Sequence, residues 1–105
     1  MSLLRRYEIL VPLLFNDGTP VPEDLLAQTF SDLRAHFGAA SWETQLVHGS
    51  WQYEGAAFRD NLTRFFVDVP DLPEYKEFFK GFKEVLKQRF KQIDVWITSH
   101  PVEVI

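Results

Sequence analysis

The residues that could do chemistry together cluster around one segment, Trp42 to Val69. His48 stands beside Gly49 and near Trp51, in a stretch that reads as a strand. Imidazole as a residue type suits proton transfer at neutral pH, so His48 could act as a general base in an aromatic pocket. Arg64 could stabilise an anion, and Arg59 could clamp a carboxylate or phosphate by a bidentate contact, with Asp60 to orient it. Trp51, Tyr53 and Trp96 would supply apolar walls for a ligand or partner. Glu8 is a candidate acid near His48. Each has a plainer alternative. A mid-strand histidine is commonly a partly buried sheet residue with one hydrogen bond, and arginines and aspartate near a hairpin tip commonly form solvated cross-strand ion pairs.

Other chemistries lack residues. His36 lies near a predicted helix C-terminus, where a protonated imidazole is favourable. His100 precedes Pro101, which predicts a strand irregularity. The three histidines do not form a ligand spacing such as His-Glu-x-x-His, so no metal is expected. There is no phosphate-binding loop, no Gly-x-Gly-x-x-Gly and no Gly-x-Ser-x-Gly, so no cofactor is expected. The chain contains no cysteine, which rules out thiol catalysis and disulfides and fits a reducing cytoplasm. Asn61-Leu-Thr63 matches a glycosylation sequon, which is accidental in a predicted cytoplasmic strand.

The elements that must position these residues follow from periodicity. Residues 6–15 form a predicted strand, apolar on both faces in its second half, with a bulge expected at Pro12. Pro22 opens a helix in which Leu26, Phe30, Leu33 and Phe37 share a face, and Gly38 ends it. The hairpin follows, with its tip at Gly55, Ala56 and Ala57. On its first strand Trp42, Thr44, Leu46 and His48 alternate with Val47, Gly49, Trp51 and Tyr53. Asp71, with Glu74 three residues on, suggests a capping box for a second helix with a wide apolar stripe from Tyr75 to Phe90. Residues 94–105 are a last strand, interrupted by His100-Pro101.

With 105 residues the chain is one domain, spanning 1–105. Aromatics make up 15%, more than a small core usually needs, so they must bury much of their area or else form an exposed patch that calls for a partner. The net charge is −4, yet residues 72–91 carry a net +3 through Lys76, Lys80, Lys83, Lys87, Arg89 and Lys91. A solvated helix rim explains that stripe, and the acidic remainder disfavours nucleic acid. The apolar run after Arg5-Arg6 is short, carries Glu8 and lacks a cleavage site, so neither secretion nor a membrane span is expected.

The order strand, helix, strand, strand, helix, strand, with right-handed crossovers, predicts an α+β fold. The whole chain resembles the ferredoxin-like superfold, a βαββαβ sandwich with an antiparallel four-stranded sheet and two helices on one face. Its length suits the dimeric α+β barrel branch of that superfold. Gly49-Ser-Trp51 and Arg59-Asp60 are similar to a pattern in an uncharacterised bacterial family, which implies no activity. Trp51, Tyr53, Phe66 and Trp96 fall across both registers, so some must lie on the bare face. A homodimer through that face is expected, with fold-back of the hairpin or the C-terminal residues as the alternative. The leading reading is a cytoplasmic, self-associating binding or assembly module that can take a small apolar or anionic ligand. The rival is a small cofactor-independent enzyme resembling monooxygenases or isomerases, with His48 as base and Arg64 as anion stabiliser. An enclosed cavity of roughly 300 Å3 or more holding both would favour the rival.

Overall fold

The computed structural model describes residues 2–105, with the backbone alone for residues 2, 45, 46, 53 and 56–60. The elements run β1 (Ser2–Pro12), α1 (Glu23–Phe37), β2 (Ser41–Tyr53), β3 (Ala56–Val69), α2 (Pro73–Arg89) and β4 (Trp96–Val104). The strands pair antiparallel in the order β2-β3-β1-β4. The chain is therefore an α+β protein with one antiparallel sheet and two helices.

Alternation along the central strands decides which face is covered. Tyr7, Ile9 and Val11 of β1 lie across from Val67, Phe65 and Thr63 of β3, and all six are buried. Leu26 and Leu33 of α1 and Phe79, Phe82 and Leu86 of α2 join the same cluster, so both helices pack on this face. The Tyr7 ring stacks on Phe79 with centroids 4.2 Å apart. Burial raises the Tyr7 hydroxyl above its ordinary pKa. Phe65 is fully buried, and its loss to alanine would cost about 3–5 kcal/mol.

Local signals set the helix ends. Glu23 and Asp24 sit in the first turn of α1, where carboxylates favour the positive helix end. Gly38 takes φ 82°, and its N–H donates to the Arg34 carbonyl at 2.8 Å. The capping box expected at Asp71 does not form. The helix starts one residue later, with Leu72 as cap and Pro73 in the first turn, and Asp71 instead pairs with Arg5 at 3.1 Å.

Three strand details also differ from the sequence reading. β1 begins at residue 2 and ends at Pro12 without a register shift, because β4 leaves β1 at Leu10 and Pro12 needs only the β3 neighbour. The irregularity falls in β2, between Glu43 and Val47. The hairpin turn is Glu54-Gly55, at φ 50° and 80°, one position earlier than the predicted tip. β4 runs through His100 and Pro101 unbroken, on an edge where proline is tolerated.

Candidate functional site

The face without helices is where the polar and aromatic candidates collect, and it divides into two halves. The ionic half centres on the even positions of β1 and β3. Arg6 donates from Nε and Nη2 to the two Asp68 carboxylate oxygens at 2.7 and 2.9 Å, a bidentate pair between ladder partners. That hydrogen bond holds the Arg6 guanidinium above its ordinary pKa. The same guanidinium lies 4.3 Å from the centroid of Phe66. Next along the strand, Arg64 sits between two carboxylates. Its Nη1 donates to Glu43 at 3.3 Å, and its Nε lies 3.8 Å from Glu8, an ion pair without a hydrogen bond.

The apolar half begins one register step further on, because Leu10 is the ladder partner of Arg64. Here a cleft of about 660 Å3 opens. Leu10, Pro12 and Leu62 line it from the sheet, Trp51 comes from the hairpin, and Trp96 from the start of β4. Trp96 is 64% exposed. Gln92 and Asp94 add polar groups from the turn before β4. The Asp94 carboxylate is held below its ordinary pKa, first by its hydrogen bond with Lys83, 3.0 Å away.

The structure brings together some of the predicted site residues and separates others. Trp51 and Trp96 line one cleft. His48 and Arg64 stand on opposite faces of the sheet, because His48 pairs with Asn61 and strand side chains alternate with a period of two. Neither lines the cleft. Glu8 turns to Arg64 rather than to His48. His36 stacks on Phe78 at 4.0 Å, and His100 lies across from Arg6. Tyr53, Arg59 and Asp60 were also expected to face a ligand, but their side chains lie outside the described residues.

The sequence reading missed the Arg6–Asp68 and Arg64–Glu43 pairs. Their signal was present, since Arg6, Glu8, Arg64 and Asp68 all fall on the alternate register opposite the core. Among the described residues no group of three His, Cys, Asp or Glu side chains is placed to hold a metal ion. No helix among them is long and apolar enough to cross a membrane.

Comparison with known proteins extends the fold and stops there. No family model and no curated protein matches the sequence. Among solved structures the chain is similar to a phage SAM lyase in complex with S-methyl-5'-thioadenosine. The TM-score is 0.68 at 17% identity, over 96% of this chain and 90% of that one. A phage SAM lyase in the apo state matches with TM-score 0.61 at 24% identity, over 92% and 79%. The divalent cation tolerance protein (Cut A1) from Thermus thermophilus matches with TM-score 0.58 at 14% identity, over 98% and 86%. At these identities the likeness is one of fold.

Proposed function

We propose that this chain is a self-associating binding module of the ferredoxin-like class, and that its helix-free sheet face is the working surface. The element order and sheet order support the class, since split βαβ units place both helices on one side. The observation that carries the function is Trp96, an indole 64% exposed at an apolar cleft of about 660 Å3. Leaving that surface wet forgoes hydrophobic free energy that a covering partner would recover. A second copy across a two-fold axis is the simplest cover. Sedimentation velocity over a dilution series tests it. A mass of at least twice that of the chain, falling on dilution, is expected, and a single-chain mass at every concentration would remove the reading.

The cleft also favours a second reading, a site for a small ligand, because its volume falls in the range of small-molecule pockets. The phage SAM lyase complex suggests a nucleoside thioether as the probe. Trp51 and Trp96 would flank its planar base, Asp94 would be the charge in the cleft wall, and Arg64 would lie just beyond Leu10. Tyr53, Arg59 and Asp60 belong to this reading as ligand-facing candidates, and His48 as a base only for a ligand reaching the other face. Calorimetric titration with S-methyl-5'-thioadenosine tests it. Binding that weakens in Trp51→Ala and Trp96→Ala is expected, while no heat at millimolar ligand would sink the idea.

A further inference from the structure

β2 and β4 are the two edges of the sheet. An edge strand presents a row of unpaired backbone groups, and proteins guard such rows with charge, proline, bulges or brevity. β4 is guarded by Pro101 and Glu103. β2 is guarded only at its start, where Glu43 precedes the register shift. Beyond it, residues 44–53 contain no Lys, Arg, Asp, Glu or Pro. From Val47 to Tyr53 the strand pairs with β3 without interruption, and among the described residues β2 has no neighbour on its other side. Much of this ribbon also stands beyond the rest of the sheet, since the ladder between β1 and β3 stops at Pro12 and Leu62. A two-stranded ribbon is marginal in water, and a third strand would stabilise it.

We infer that Val47–Tyr53 is a strand-addition site whose occupant is the same segment of a second copy, paired antiparallel across a two-fold axis. A two-fold axis that relates identical edges makes the pairing antiparallel by symmetry. The segment holds no Lys, Arg, Asp or Glu, and a two-fold centred on Ser50 sets His48 across from Gln52, so self-pairing sets no like charges opposite each other. Pairing with the β4 edge instead would place Pro101, which has no N–H, in the new ladder. The added strand bears on the cleft as well. Gly49, Ser50 and Trp51 are its β2 side, so the second copy would continue that wall. This inference rests on the self-association reading but names a different contact from the covering of Trp96, so either contact alone joins two copies and both together join four.

Ser50 is exposed and lies at the centre of the segment, so a two-fold pairing centred there sets it against its own copy. The test uses the full chain as wild type, Ser50→Lys, Ser50→Glu and Trp96→Lys. Sedimentation is read together with amide hydrogen exchange over residues 47–53. For the wild type we expect alternate amides in that segment to gain protection as concentration rises. Ser50→Lys and Ser50→Glu alone should each dissociate at several-fold higher concentration, and an equimolar mixture should restore both mass and protection. Restoration in the mixture shows that the single variants are folded. The edge contact is overturned if the wild-type amides exchange alike at all concentrations, or if Ser50→Lys keeps the wild-type mass. If only Trp96→Lys removes the doubled mass, the edge fails and self-association through the face stands. A wild type with the single-chain mass throughout overturns both.

Discussion

Replacing Trp96 with alanine separates a covered sheet face from a bare one. A fully open aromatic side chain of this size offers up to about 250 Å2. With 64% of Trp96 exposed, about 160 Å2 remains for a partner to cover. At ~25 cal/mol per Å2 that is about 4 kcal/mol for each copy. Ordering of side chains and loss of overall freedom offset part of it. If half survives, each Trp96→Ala substitution weakens association by roughly thirtyfold, and the symmetric pair by roughly a thousandfold. The fold of a single chain should persist, because Trp96 lies outside the buried cluster. Sedimentation velocity across the micromolar range reads the association, and urea unfolding at low concentration reads the fold. An unchanged dissociation constant in Trp96→Ala would show that no partner covers the indole.

Other outcomes follow from particular contacts. Arg6→Met leaves the partly buried Asp68 carboxylate without its two donors and should cost roughly 1–3 kcal/mol by urea unfolding. Combined with Asp68→Asn, the loss should be less than additive. Gly38→Ala forces a side chain into φ 82° and should cost about 1–2 kcal/mol, read as a lower melting temperature. Asp94 titrates below its ordinary value, so its contribution is complete above that value near 3.8 and is lost as pH falls through the lower folded value. Lys83→Met should move the Asp94 titration upward by NMR. At neutral pH the cost should be within roughly 1 kcal/mol, because both side chains are substantially exposed.

The core face was legible because it rests on parity and helical spacing. Tyr7, Ile9 and Val11 alternate as a strand must, and Leu26, Phe30, Leu33 and Phe37 recur as a helix face must. The hairpin's parity was equally visible, with His48 on one side and Trp51 on the other. What parity cannot give is register. The shift between Glu43 and Val47 decides that Glu43 meets Arg64 and His48 meets Asn61, and nothing in the residue types there marks its position. The cleft was less legible still. It joins Trp51 to Trp96 through a hairpin and the turn at Gln92-Asp94, which are distant in sequence and become neighbours only once the sheet order is known. His48 and Arg64 lie on different faces for a local reason. Alternation on β3 had already put Asn61 and Arg64 on different faces.

The division of the helix-free face also constrains how a second copy can sit on it. A contact centred on the ionic half would have to desolvate Arg6, Asp68, Glu8, Arg64 and Glu43 together. Their mutual pairing already satisfies much of their charge within one chain, so a partner would add little and dehydration would cost several kcal/mol per ion. A contact centred on Leu10, Leu62, Trp51 and Trp96 meets that cost only at the cleft's edge, where Asp94 is paired with Lys83. It would leave the ion pairs at its margin, in the arrangement of an apolar interface centre with a polar rim. Association through the cleft should therefore change little between low and high salt. Dissociation driven by salt alone would place the ionic half at the centre and reverse this assignment.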